Sequence, residues 1–92
     1  MSEPERYTVT FTPAARRRPG KLPLPAATAL YGHLTGPVAA NPHRLGKPLD
    51  APFEEVLSAR RGDYRALYTV DDRARLITVL AVAHRRDAYR PR

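Results

Sequence analysis

Two arginines are the first residues whose spacing suggests chemistry, because a short turn between them would bring them face to face. Gly62-Asp63 has the composition of a two-residue hairpin loop, and in that register Arg60 lies directly opposite Arg65. Two guanidinium groups across a sheet repel each other, so packing alone does not favour the pair. A phosphate-binding site does favour it, because arginine is always charged and holds phosphate through two hydrogen bonds. The alternative is that one arginine pairs with an acid such as Glu54 or reaches water.

The end of the chain supplies a second group of candidates. The pKa of an unperturbed histidine is about 6.5, so His84 could accept or donate a proton at neutral pH. Arg85 and Arg86 follow it directly, and their charges would lower that pKa. Tyr89 lies in a basic segment, where an aromatic ring suits stacking on an unpaired base. The alternatives are a surface histidine, or one bonded to a backbone carbonyl, and a tyrosine that anchors the C-terminus.

Other kinds of catalytic centre find no support in the sequence. The chain has no cysteine, which excludes disulfides, thiolate zinc sites, iron–sulfur clusters and cysteine nucleophiles. His33 and His43 have no metal-ligand spacing with another histidine or with an acid. Neither a glycine-rich phosphate loop nor a Gly-x-Ser-x-Gly motif is present. We therefore expect no metal and no cofactor, and a site that works through cationic side chains.

The elements that must position these residues follow from the periodicity of the sequence. Alternating β-favouring residues predict a strand over residues 7–12, and proline and glycine punctuation predicts a short helix followed by a second one. The second helix has an apolar face and is broken or kinked at Gly36-Pro37; its apolar positions are Ala27, Leu30, Tyr31, Leu34 and Val38. A loop over residues 41–49 leads to three strands, at residues 55–60, 64–70 and 76–83.

This order, β-α-α-β-β-β, predicts an α+β domain in which two helices cover one face of a mainly antiparallel four-stranded sheet. The last strand is apolar at nearly every position, so we expect it to be buried on both faces at the centre of the sheet. Tyr64 and Tyr68 share one face of the strand before it, where core or rim packing is the simplest role for both.

Composition limits the class of protein. The chain has 92 residues, which allows one domain, and its 42% hydrophobic and 27% charged residues argue against disorder. Its longest apolar run is far shorter than the roughly 20 residues of a membrane helix, and its first residues have no signal-peptide pattern, so we expect a cytoplasmic protein. The net charge of +7 predicts a polyanionic or acidic partner. A GC-rich genome would explain arginine in place of lysine, but not the sign of the charge.

Longer stretches of the chain carry more specific motifs. They include residues 41–49 (NPHRLGKPL), 58–65 (SARRGDYR), 82–85 (VAHR) and 87–90 (DAYR). Together with the opening residues 9–15 (VTFTPAA), these stretches resemble the RelE branch of the RelE/ParE toxin superfamily. The resemblance spans about residues 7–90, and the combination of the hairpin motif with the terminal one is what makes it specific.

The resemblance implies the toxin of a type II toxin–antitoxin pair, which enters the A site of the 30S ribosomal subunit and cleaves messenger RNA there without a metal. It implies catalytic roles for the basic residues of the middle hairpin, the end of the last strand and the tail tyrosine, which here are Arg60, Arg65, Arg85 and Tyr89. His84 lies where some members carry a basic residue and others a histidine. The expected partners are a cognate antitoxin, the ribosome and messenger RNA, with no membrane; the expected RNA or ribosome contacts are Arg44, Lys47, Arg61 and Arg86.

Two departures from the family pattern concern Ser58 and the first helix. One branch has a lysine where Ser58 stands, which puts proton transfer from that position in doubt. Residues 18–20 interrupt what is usually a longer first helix. Because arginine has a pKa above about 12, it cannot be the base; His84, Tyr89 or a carboxylate remains, and His84 is favoured.

Two alternative functions remain open at this point. The first is a ParE-like inhibitor of DNA gyrase, although that branch tends to lack the full set of basic residues and the tyrosine. The second is a basic RNA- or ribosome-binding protein without catalytic activity.

Overall fold

The computed structural model describes residues 6–16 and 22–84. Its strands and helices, in chain order, are β1 (Thr8–Phe11), α1 (Pro13–Arg16), α2 (Leu24–His33), a π-helical turn that continues α2 (Leu34–Val38), α3 (Pro42–Leu45), β2 (Lys47–Pro48), β3 (Leu57–Arg61), β4 (Tyr64–Asp71) and β5 (Leu76–His84). Among the described residues no helix is long and apolar enough to span a membrane.

The sheet has five strands in the order β1-β5-β4-β3-β2, so the α+β class and the helix-covered face are as predicted but the four-stranded description is wrong. β1 runs parallel to β5, and every other neighbouring pair is antiparallel. The additional strand, β2, lies in the predicted loop, where Lys47 pairs with Ser58 and Pro48 with Leu57. Two residues are too few to show a period in sequence, and proline is tolerated there because β2 is an edge strand. The helical turn α3 also lies within that loop.

Helix α2 and its π-helical turn bury their apolar side chains on one face of the sheet. Leu30, Leu34 and Val38 are buried, as the helical spacing predicted, and they join a core that includes Ala59, Ala66, Tyr68, Ile77 and Val79. Pro37 does not end the helix. Proline lacks an N–H and crowds the carbonyl one turn earlier, and a wider π turn accommodates it.

Strand β5 is not buried on both faces. It lies between β1 and β4, and β4 occupies the middle of the sheet. Ile77 and Val79 are fully buried beneath the helices, whereas Thr78 and Leu80 on the other face are only half-buried. The described helices pack against one face alone, so β5 has apolar side chains on its other face that are not fully buried.

The predicted packing role of Tyr68 is confirmed. Its side chain is fully buried, and its hydroxyl donates a hydrogen bond of 2.7 Å to the carbonyl of Pro42 in α3. Burial raises the pKa of Tyr68 to about 12. Gly46, directly after α3, lies so close to the ring that a Cβ there would clash with the Tyr68 hydroxyl, and would also approach Leu57 Cβ to 3.0 Å.

We therefore expect Gly46→Ala to lower the free energy of unfolding by about 1–3 kcal/mol, because it overpacks the contact between α3 and the sheet. The backbone of Gly46 (φ −106°) suits alanine, so the cost is steric and not conformational. Gly32→Ala in α2 is the matched control: a Cβ there meets nothing within 4 Å, and alanine should stabilise the helix by about 0.5–1 kcal/mol. Urea denaturation of both variants measures the difference, and equal midpoints would contradict this packing.

Candidate nucleic-acid interface

The hairpin that carries the two central arginines has the predicted turn and register. Gly62 has a positive φ of 64°, which glycine adopts without strain, and β3 pairs with β4 so that Arg60 lies opposite Arg65. Because side chains alternate along a strand, Leu57 and Ala59 point to the helices, and Arg60 points to the uncovered face. The two guanidinium groups therefore share that open face.

An open pocket of about 510 Å³ lies on this face. It is lined by three cationic residues, one acidic residue, one serine and three apolar residues: Leu45, Lys47, Pro48, Leu49, Asp50, Ser58, Arg60 and Arg65. Nη1 of Arg65 lies 3.5 Å from Ser58 Oγ and donates a long hydrogen bond to it. Lys47 is brought beside Ser58 by the pairing of β2 with β3. The concentration of positive charge on an uncovered sheet face suits a phosphate group.

His84 lies on the opposite face of the sheet. His84 pairs with Tyr64, and Tyr64 pairs with Arg61. These residues lie on the same face as the buried Ala59 and Ala66, two positions nearer the hairpin turn. The His84 ring packs edge-on against the Tyr64 ring, with 5.1 Å between centroids. The structure thus brings Arg60 and Arg65 together, as the hairpin register predicted. It also places Lys47 at the pocket, and it does not bring His84 there.

A bulge in β5 explains the placement of His84. Tyr68 pairs with Val79, but the preceding residue Leu67 pairs with Ala81, so Leu80 is an extra residue. Simple alternation from the buried Val79 would send position 84 to the uncovered face. The extra residue reverses the alternation, and Val82 and His84 point toward the helices instead.

The remaining predicted site residues fall into three groups. Arg61 is exposed on the helix side; His33 there has a lowered pKa, mainly because of burial and to a smaller extent because of the Arg61 charge. Arg44 is exposed on α3, next to the pocket but outside its lining. The last group lies outside the described residues: Arg85, Arg86 and Tyr89.

Sequence reasoning missed four of the residues that line the pocket, which are Leu45, Pro48, Leu49 and Asp50. The segment from 41 to 49 was predicted as a plain loop, and no periodic signal marks its pairing with β3. The two prolines in it are the one local clue to a fixed backbone.

A second polar cluster lies at the other end of the sheet and joins Tyr7, just before β1, to α3 and the β4–β5 turn. The Asp72 carboxylate accepts hydrogen bonds from the Tyr7 hydroxyl and from Nε2 of His43, which is 2.9 Å from one oxygen and 3.1 Å from the other. The Arg75 guanidinium lies over the Tyr7 ring, 5.1 Å from its centroid. The hydrogen bond from Tyr7, and next in importance the one from His43, lower the pKa of Asp72. The same hydrogen bond to Asp72 raises the pKa of Tyr7. The cluster holds α3 from outside, as Tyr68 holds it from inside.

The part of the chain that the structure describes contains no evident metal-binding site. Nowhere in residues 6–16 and 22–84 do three histidine or acidic side chains come together in a group that could hold an ion.

Comparison with known proteins gives one family. Residues 9–89 match the family model described as "ParE toxin of type II toxin-antitoxin system, parDE". The chain is 42% identical over 90 residues to Toxin RelE of Mycobacterium tuberculosis, an alignment that covers 98% of this chain and 93% of that protein. It is 44% identical over 84 residues to Toxin RelG of the same organism, covering 91% and 97% respectively.

Two solved structures contain a chain that is similar to this one in fold. The toxin–antitoxin complex RelBE2 of M. tuberculosis contains a chain with a TM-score of 0.80 and 42% identity, covering 87% of this chain and 92% of that one. The archaeal RelE–RelB complex of Pyrococcus horikoshii contains one with a TM-score of 0.57 over 87% of this chain and 96% of that one; at 21% identity it supports the fold alone.

The Asp72 cluster predicts an acid-sensitive contribution to stability. Because the pKa of Asp72 is lowered in the folded state, its contribution is present above the unfolded value of 3.8 and is lost as the pH falls through the lower folded pKa. We expect Asp72→Asn to be less stable than wild type at neutral pH, and the gap to close in acid. Denaturant titrations across the pH range measure this, with Glu55→Gln, which removes an exposed charge, as control. A gap that is independent of pH would contradict the assignment.

Proposed function

This chain belongs to the RelE branch of the RelE/ParE superfamily of type II toxins, and from that premise we propose that it cleaves messenger RNA in the ribosomal A site and so inhibits translation. The observation that carries the proposal is the cationic pocket on the uncovered face of the sheet, where Arg60 and Arg65 lie side by side with Lys47. An RNA strand can reach this face, because the described helices cover only the other one.

The proposed reaction needs no metal. The ribose 2′-oxygen attacks the neighbouring phosphorus and the 5′-oxygen leaves, so one proton must be taken from the 2′-hydroxyl and one given to the 5′-oxygen. Negative charge builds up on the phosphate oxygens in between. Arg60 and Arg65 supply the compensating charge, which is typically the largest contribution to such catalysis. Neither can be the proton acceptor, since their pKa is too high.

Tyr89 is the proposed partner of the arginine pair, and the position of His84 argues against the role that the sequence favoured for it. Tyr89 would stack on a base and orient the ribose, which is a positioning effect. His84 was the favoured proton acceptor from sequence; with its ring against Tyr64 on the helix side, it can act only if the RNA reaches the end of the sheet from both faces. Arg85 completes the proposed catalytic set, while Arg44, Arg61 and Arg86 would contact RNA or the ribosome.

A cognate antitoxin is the proposed protein partner. The similar chain from M. tuberculosis was solved in a toxin–antitoxin complex, and the net charge of +7 favours an acidic or amphipathic segment. Binding to the folded toxin alone would also stabilise it by mass action.

The deciding experiment maps the ends of messenger RNA on ribosomes programmed with a defined codon in the A site. Purified protein should produce new 5′ ends within that codon, and should leave gyrase-dependent supercoiling unchanged. Inhibited supercoiling with intact messenger would favour the ParE-like alternative. Ribosome binding without new ends would favour a non-catalytic protein.

Arg65→Ala should lower the cleavage rate by about 10²–10³-fold, because it removes one of two cations at the charged phosphate. Its thermal unfolding should stay close to that of wild type, since the side chain is only half-buried on the open face. Arg73→Ala, which removes an exposed arginine from the β4–β5 turn, is the matched control and should cleave normally. Full activity of folded Arg65→Ala would remove Arg65 from the site.

His84→Gln tests the proton acceptor. Because the His84 ring lies on the helix side of the sheet, we expect the variant to keep the wild-type dependence of single-turnover cleavage on pH. His33→Gln, another histidine on that side, serves as control. If the pH dependence is instead flattened in His84→Gln alone, proton transfer belongs to His84 and the RNA must contact both faces.

A further inference from the structure

The proposed cleavage needs a proton donor at the 5′-oxygen, and the arginine pair cannot supply the proton. An arginine side chain is not deprotonated in proteins, so Arg60 and Arg65 stabilise charge without giving up a proton. The other polar residues that line the pocket are Lys47, Asp50 and Ser58. A carboxylate only accepts hydrogen bonds, and a serine hydroxyl is a far weaker acid than an ammonium group. Among the described lining residues, Lys47 is therefore the best proton donor.

The register of the strands places Lys47 on the same face as the arginine pair. Lys47 is paired directly with Ser58, and paired residues of neighbouring strands point to the same face of a sheet. Ser58 lies between Leu57 and Ala59, which both point to the helices, so its own side chain points to the open face. Arg60 is two residues further along β3 and is thus a diagonal neighbour of Lys47, at about 7–8 Å. Two side chains of this length can reach one phosphate group from that separation.

Backbone hydrogen bonds on both sides hold Lys47 in place. The N–H of Gly46 donates to the Pro42 carbonyl at 3.2 Å, and the N–H of Leu49 donates to the Val56 carbonyl at 2.9 Å. These bonds join the residues before and after β2 to α3 and to the start of β3. Because the strand that carries Lys47 is anchored, little entropy is lost when its ammonium group is placed beside a reacting atom.

The ammonium group of Lys47 is also accessible and is not neutralised by a neighbouring acid. The side chain is exposed, so an RNA strand on the open face can reach it. Asp50 lines the same pocket, but no acid forms an ion pair with Lys47 in the part of the chain that the structure describes. No described carboxylate therefore competes with a leaving oxygen for the proton.

We propose that Lys47 is the catalytic residue that donates the proton to the 5′-oxygen as the messenger RNA is cleaved. The proposal rests on the proposed cleavage and assigns one of its two proton transfers. The bond between phosphorus and the 5′-oxygen breaks, its electron pair stays on that oxygen, and a proton moves from Nζ of Lys47 to the same atom. The 2′-proton leaves separately, to solvent or to another base, and the products are a 2′,3′-cyclic phosphate and a free 5′-hydroxyl. The neutral amine then recovers a proton from water.

A message with sulfur in place of the 5′-oxygen at the scissile phosphate tests this assignment on programmed ribosomes. A thiolate leaves without being protonated, so cleavage of this message needs no proton donor. Lys47→Arg keeps the positive charge but removes the transferable proton. On the natural message its single-turnover rate should fall by at least about 10²-fold, since general acid catalysis contributes about 10²–10⁴-fold. On the sulfur message it should cleave at close to the wild-type rate.

Two other variants serve as controls. Lys21→Arg makes the same replacement at the only other lysine of the sequence, and it should cleave both messages as wild type does. Arg65→Ala removes charge at the phosphate oxygens and not a proton, so its slow cleavage should persist on the sulfur message. Thermal unfolding of Lys47→Arg should match that of wild type, because the side chain is exposed.

Full activity of Lys47→Arg on the natural message would overturn the role of Lys47. An equal loss on both messages would overturn it too, because that pattern belongs to charge placement or folding. A loss in Tyr89→Phe that the sulfur message restores, with no restoration in Lys47→Arg, would assign the donor to the tail instead. Each of these results leaves the proposed cleavage standing, whereas absence of wild-type cleavage of the natural message would overturn both proposals.

Discussion

The hydrogen bond from the buried Tyr68 hydroxyl to the Pro42 carbonyl is the contact on which the candidate site depends. It joins the middle strand of the sheet to α3, a helix of one turn that would have no stability by itself. Its net contribution is about 1 kcal/mol, but a buried carbonyl without a donor would cost more than that. Gly46 lets the chain pass close over the ring, and β2 follows directly. One side chain in the core therefore contributes to the position of Lys47 and of the pocket-lining residues around it.

Charge and burial are divided between the two faces of the sheet. On the helix side, Ala59 and Ala66 are small and fully buried, and they pair with each other in the middle of the hairpin. One residue nearer the hairpin turn on each strand, the exposed Arg60 and the half-buried Arg65 point to the open face. The repulsion between the two guanidinium groups is weak there because water screens it. It becomes an advantage when a phosphate group is present, since both charges then act on the same anion.

The two ends of the sheet serve different purposes. At the hairpin end, the cations of the pocket are arranged around open space. At the other end, the exposed Asp72 carboxylate accepts hydrogen bonds from Tyr7 and His43 within the protein. The first arrangement suits a ligand and the second suits structure. A histidine beside a carboxylate is thus part of the scaffold here, although His43 alone in sequence gave no indication of either role.

Four features could be predicted without the structure, because each depends on residues close together in the chain or on short motifs. They are the hairpin, the pairing of Arg60 with Arg65, the buried face of α2 and the resemblance to RelE. The three-dimensional fold was needed to show that residues 47–48 form a fifth strand and that Asp50 borders the pocket, because both depend on pairing with β3. It also decided the face of His84. Strand alternation predicts faces only while every residue is paired, and the extra residue Leu80, which becomes visible only when β5 is paired with β4, reverses the alternation before His84 is reached.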